Sequence, residues 1–238
     1  MFDLSIVDER NKEFLEKIDN GIATTEDYVQ LIISQYDRNY QPLMPDKTSE
    51  IPKAAYTRSL FLAVGAGAPS SILSDLIIMG ADVDGDKDGN RPLINAVDHP
   101  TTLAVLLEQG AQVDHPNGFG KTALMMAAHM DQLDALEQLL NAGADPNVIT
   151  WLEHPITVGP WGRTAPDCRY ANIKHRERTA LMYAAENASL EIFEILIEAG
   201  ADPKAQDSKG RSVSDYLKMN KTMPVQDLGK ARKLLSVH

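Results

Sequence analysis

The chain has 238 residues, 43% of them hydrophobic, with 23 Lys+Arg against 34 Asp+Glu. This length and apolar content suffice for a packed core and exclude wholesale disorder, and the formal net charge of −11 disfavours capture of nucleic acid or an anionic membrane through the bulk field. The single cysteine excludes an internal disulfide framework; no apolar run reaches the roughly 18 residues of a membrane span, and MFDLSIVDERNK lacks the pattern of a secretory leader.

In chain order, residues 7–20 are expected to form a helix with Phe14 and Ile18 on one side, ended by Gly21. A second helix is expected over 25–36, with Tyr28, Leu31, Ile32 and Tyr36 at helical spacing, Thr24 or Thr25 as cap, and Glu26 and Asp27 in the first turn. Residues 39–53, with Pro42, Pro45 and Pro52, read as a connecting loop. From residue 58 onward the sequence repeats itself. RSLFLAV starts at Arg58, RPLINAV at Arg91, TALMMAA at Thr122, TALMYAA at Thr179 and RSVSDYL at Arg211. Downstream of the first four lie GADVD from Gly80, GAQVD from Gly110, GADPN from Gly143 and GADPK from Gly200. Leu60, Leu93, Leu124 and Leu181 are separated by 33, 31 and 57 residues.

Each unit predicts helix, turn, helix and extended loop. In unit three, Thr122 is suited to cap the first helix, and Leu124, Ala127 and Ala128 share a face. The second helix is expected near 132–141, with Leu133, Leu136, Leu139 and Leu140 inward and Gly143 as the residue of positive φ that ends it. Unit two is shorter, with Pro92 opening its first helix and Pro100 its second. A last amphipathic helix is expected over 224–236, with Val225, Leu228 and Leu235. No unit can bury its apolar face alone, whereas stacked units share one core.

The order G-x-T-A-L-M-x-A-A, a Leu-Leu helix and G-A-D-P-N resembles the ankyrin repeat over residues 57–147 and 174–217, and T-A-L-M-x-A-A variants look similar to those of many bacterial ankyrin proteins. The usual T-P-L-H reads T-A-L-M in two units, without the histidine that commonly braces the turn. The resemblance implies an all-α ankyrin solenoid: a helical N-terminal cap and linker (1–57), repeats over 58–217 interrupted by an insertion at 148–177, and a C-terminal capping helix (218–238).

The insertion holds both tryptophans, Trp151 and Trp161, and the lone Cys168, with His154, Arg163, Arg169, Tyr170 and His175. Trp, Tyr and Arg are favoured interface anchors, so a partner-contacting finger is one reading and a self-shielding loop the other. His154, Cys168 and His175 match no zinc spacing, and a Cys–His nucleophile pair is the minor enzyme reading. GAGA (65–68) and NGFG (117–120) lack the GK[ST] ending of a phosphate loop. Asp82, Asp84, Asp86 and Asp88 resemble a calcium loop, but the twelfth position holds Leu93 or Asn95 rather than a carboxylate. No catalytic, cofactor or metal site is therefore expected.

The resemblance implies a concave surface of hairpin tips and first helices. It would carry Lys87, Asp88, Asn90, Asp98 and His99 in unit two, and Phe119, Lys121, His129 and Met130 in unit three. Unit four would supply Arg178, Glu186 and Asn187, and unit five Ser208, Lys209 and Arg211. Phe119 and Met130 are expected to be exposed apolar groups in a polar groove. Charge changes along the chain: −5 over 1–57, −8 over 58–147, +1 over 148–177, −3 over 178–206 and +4 over 207–238. The expectation is a monomeric, cytoplasmic, non-catalytic module that binds a protein partner, one with a basic surface being favoured by the acidic body, with no nucleic acid or membrane ligand. An inhibitor or immunity protein against a basic toxin or enzyme, and a secreted bacterial effector, are the competing readings.

Overall fold

The structure is a computed structural model that describes residues 9–39, 51, 53–86, 89–150, 157–158, 163–164 and 177–237. Lys87, Asp88, Trp151, Trp161, His154, Cys168 and His175 lie outside the described residues.

Two layers of helices build the stack. The first helices of the five units are α3 (Lys53–Gly65), α5 (Pro92–Asn95), α7 (Ala123–Met130), α9 (Ala180–Asn187) and α11 (Val213–Leu217), and each packs on the next. The second helices are α4 (Ser70–Ile78), α6 (Pro100–Glu108), α8 (Leu133–Asn141), α10 (Leu190–Glu198) and α12 (Val225–Val237), which form the outer layer in the same order. Two further helices, α1 (Glu9–Asp19) and α2 (Thr25–Asn39), precede the stack, and α2 covers α3 and α4. A short antiparallel pair, β1 (Thr157–Val158) with β2 (Arg163–Thr164), lies within the insertion.

The inner layer is close-packed because its contact residues are small. Ala127, Ala128, Ala184 and Ala185 are wholly buried where α7 meets α9. Leu103, Leu106, Leu136, Leu139, Phe193 and Leu196 of the outer helices complete one continuous core. Local chemistry sets the ends of the helices. The Thr122 hydroxyl accepts the Met125 N–H, and Thr24 and Asp27 exchange hydrogen bonds at the start of α2. Gly80, Gly110, Gly143 and Gly200 take positive φ just after the outer helices, where a Cβ would be strained. In unit two the first helix is only four residues long, because Pro100 opens the following helix and keeps His99 extended at φ −126. Arg91 there replaces the capping threonine and ties the carbonyls of Asp84, Asp86 and Pro116.

The acidic loops have a structural task. The fifth residue of one G-A-[D/Q]-x-x segment, Asp or Asn in the first three, accepts the backbone N–H of the third residue in the next. Asp84 accepts from Gln112, Asp114 from Asp145, and Asn147 from Asp202. Within a segment, Asp82, Asp145 and Asp202 accept from the N–H two residues on. Asp84 and Asp114 therefore serve as clasps between units, and Asp82, Asp145 and Asp202 as braces within their own loops. Burial first, and then the neighbouring Asp145 charge, push the Asp114 carboxyl above the usual carboxylate range, against the hydrogen bond from Asp145 N–H. A raised folded-state value means that the Asp114 charge opposes folding at neutral pH, and that this penalty fades on acidification. Asp114→Asn keeps the acceptor and drops the charge, as Asn147 does naturally. It should unfold at a urea concentration no lower than wild type at pH 7, whereas Asp114→Ala should lose about 1 kcal/mol; equal losses in both variants would mean that the charge, not the acceptor, makes the clasp.

Candidate functional site

The hairpin tips share one hydrogen-bonding pattern, and it aligns their side chains. In units two, three and five the opening residue is Asp86, Asn117 or Asp207, and the closing residue is Asn90, Lys121 or Arg211. The opening N–H donates to the closing carbonyl, and the closing N–H donates back to the opening side chain at 3.2, 3.1 and 2.9 Å. The residue before the closing one is Gly89, Gly120 or Gly210, with φ of 85, 69 and 73°. Unit four keeps this pattern across the insertion. Thr150 N–H donates to the Arg178 carbonyl, Glu177 N–H donates to the Thr150 carbonyl, and Arg178 N–H donates to Thr150 Oγ1 at 2.9 Å. The insertion is thus spliced into a tip whose neck is an ordinary one, with Glu177 at φ 62° where the other units have glycine.

This register places Lys121, Arg178 and Arg211 at one position in three successive units. A tyrosine recurs at a second position, Tyr183 in α9 and Tyr216 in α11. The two sets interleave. Lys121 Nζ lies 4.7 Å from the Tyr183 ring centroid, and Arg178 Cζ 4.0 Å from the same ring. Arg178 Cζ is also 4.3 Å from the Tyr216 ring, and Arg211 Cζ 4.9 Å from it. Each cation over a ring contributes about 0.5–2 kcal/mol, rising with desolvation. Arg178 NH2 is hydrogen-bonded to Glu186. Arg211 engages Asp207 Oδ2 through Nε and NH2 at 2.9 and 2.8 Å, and Tyr216 OH donates to the same oxygen at 2.7 Å.

Around Tyr183 the structure gathers five residues that the sequence nominated: Lys121, His129, Arg178, Glu186 and Asn187. The His129 ring meets Tyr183 edge-on at 5.6 Å, and Asn187 Nδ2 is 3.0 Å from His129 Nδ1. The amide donates there when the ring is neutral, with its proton on Nε2. Burial first, and then the Lys121 and Arg178 charges, hold the His129 value below the usual histidine range and favour that form. Burial, and then Arg178, likewise lower the Lys121 ammonium. Asn90, Asp98 and His99 lie apart in unit two, where Asn90 Nδ2 donates to Asp86 and His99 faces Asp98 at 3.7 Å.

Three placements differ from expectation. Phe119 is half-buried rather than exposed, at a tip where its N–H donates to Asn117 Oδ1. His129, expected at the surface, is half-buried against Tyr183. Arg178 is 8% exposed, since its guanidinium fills the space between two tyrosine rings. Met130 is 41% exposed at the end of α7. Tyr183, Tyr216 and Asp207 were not singled out from the sequence; aligning units three to five by their T-A-L-M-like segments, which start at Thr122, Thr179 and Ser212, would have shown the recurring basic and tyrosine positions. Among the described residues no group of three or more His, Cys, Asp or Glu stands where it could hold a metal ion, and no helix is long and apolar enough to cross a membrane.

Two outcomes follow from this geometry. Glu177→Gly should stabilise the fold by about 1 kcal/mol, because relief of a left-handed non-glycine outweighs the added chain entropy; an unchanged or lower melting temperature would show that the neck carries no strain. Burial raises the Asp207 value, but the bonds from Tyr216, Arg211 and Lys209 outweigh it and hold the carboxyl well below the usual range. The stability this supplies is complete above about pH 4 and is lost as pH falls towards the folded-state value. Urea midpoints should therefore drop more steeply between pH 4 and 2 in wild type than in Asp207→Asn, and parallel curves would contradict the assignment.

Comparison with known proteins agrees with the repeat geometry. Two family models, described as "Ankyrin repeats (3 copies)" and "Ankyrin repeats (many copies)", match residues 60–150 and 170–217, together more than half the chain. An E3 ubiquitin-protein ligase, KEG, of Arabidopsis thaliana is 34% identical over 96 residues. That match takes in 38% of this chain and only 6% of the ligase. With the repeat signatures, the two-layered helical stack and the family matches all in register, the chain belongs to the ankyrin-repeat family.

Proposed function

We propose that this chain is a non-catalytic cytoplasmic module that binds a protein partner along its hairpin tips and inner helices, with Met130 near the centre of the interface. The observation that carries the reading is the exposed Met130 beside half-buried His129, on the inner layer where the core has no use for an apolar side chain. An exposed apolar group among polar ones is how an interface centre differs from ordinary surface. The family supports the class, since ankyrin repeats are generic protein-interaction modules.

Charge describes the partner further. Residues 58–147 carry −8 and residues 207–238 carry +4. A partner lying along the face meets opposite signs at its two ends, with a basic surface opposite units one to three. Asn90, Asp98 and His99 then belong to the acidic end, Lys121, Arg178, Glu186 and Asn187 to the middle, and Trp151 and Trp161 of the insertion supply added contacts.

Capture from native lysate with quantitative mass spectrometry tests this. Wild type should retain a protein whose affinity falls about tenfold or more in Met130→Asp, with cross-links from Lys121. The same protein held equally by Met130→Asp would move the interface off the inner face, and its loss only on deletion of residues 151–174 would move it to the insertion.

A further inference from the structure

We infer that Lys121 and Arg178 form a seat for a single carboxylate side chain on a peptide segment of the partner, on the inner face where units three and four meet. The inference rests on the inner face being the binding surface and names the chemistry of one contact on it.

The argument comes from comparing equivalent positions. In unit five the closing arginine has a carboxylate of its own tip: Arg211 has its Nε and NH2 on Asp207, the opening residue. The opening residue of unit four is Thr150 and that of unit three is Asn117, both neutral. Neither can do for Arg178 or Lys121 what Asp207 does for Arg211. Arg178 gives NH2 to Glu186, yet its buried Nε has no partner among the described residues, and neither has the buried hydroxyl of the adjacent Thr179. Lys121 forms no ion pair among the described residues and holds its ammonium over the Tyr183 ring that Arg178 also covers. Two cations thus share one ring, and among the described residues the only carboxylate paired with either is Glu186, on Arg178. Desolvated charge in excess of its counter-charge is costly, and an added carboxylate relieves it.

The surroundings select the source of that carboxylate. A phosphate-rich surface or a nucleic acid would bring many negative charges against repeats that carry −8 over residues 58–147. A peptide carboxylate brings one charge to the local cation pair, and the rest of its segment can be neutral or basic.

The test uses the full chain and a defined probe, an acetylated and amidated Gly-Glu-Leu-Glu-Gly peptide, with its glutamine counterpart and inorganic phosphate as separate arms. The side-chain Nε–H resonance of Arg178, assigned through its loss in Arg178→Lys, reports the site directly. The glutamate peptide should shift that resonance and the Thr179 amide saturably, and the glutamine peptide should not. Lys121→Gln should weaken the glutamate peptide about tenfold, and Lys121→Arg should retain it. Equal shifts by both peptides, shifts confined to the basic α12, or an equal response to phosphate would overturn the inference. Loss of partner capture in Met130→Asp together with a silent Arg178 resonance would remove this contact and leave the proposed interface standing. Partner capture unaffected by Met130→Asp would remove the interface itself.

Discussion

The fold depends on stacking register. A pair of short helices cannot bury its apolar face alone, and only a neighbour in the correct register covers it. Here the register is held at both edges of the stack. On the inside, alanines at 127, 128, 184 and 185 let the first helices approach closely. At the loops, Asp84, Asp114 and Asn147 each bind a backbone N–H one unit further along. A shift of one residue would bury larger side chains between the inner helices and break the clasps together, so the two devices enforce the same alignment.

That alignment is also what builds the candidate site. Lys121, Arg178 and Arg211 are far apart in sequence, yet each closes a hairpin at the same point of its unit. Tyr183 and Tyr216 each stand on the fifth residue of their T-A-L-M-like segment. Stacking brings the two sets together into a column of alternating cations and rings. The column brings positive charge to the inner face of a protein whose overall charge is −11. Its fifth-unit end is neutralised internally by Asp207 and its third-unit end is not, so the same architecture that stabilises unit five leaves an unequal charge distribution where units three and four meet.

The insertion illustrates how a repeat array tolerates added chain. Thr150 and Arg178 reproduce the tip hydrogen bonds found in the other units, so the segment enters and leaves through a closed neck and the stack continues undisturbed. The local cost falls on Glu177, which adopts the left-handed conformation its neighbours assign to glycine. Loop closure grows only slowly with length, which is why residues can be added at a tip without loosening the helices on either side.

The sequence by itself determined the family resemblance, the number and order of the units, the proline-started helices of unit two and the glycines that end the outer helices. Each of these is a local property, readable from spacing, a cap or a required positive φ. It also nominated Lys121, His129, Arg178, Glu186 and Asn187, though only as members of one surface. The tertiary structure decided how they meet: that Arg178 is buried between two tyrosines, that His129 leans on Tyr183 and Asn187, that Phe119 is half covered and Met130 is not, and that Asp84 and Asp114 are used in clasps between units. Those outcomes depend on contacts across as many as 58 residues of sequence, and such distances follow from stacking and not from any local pattern.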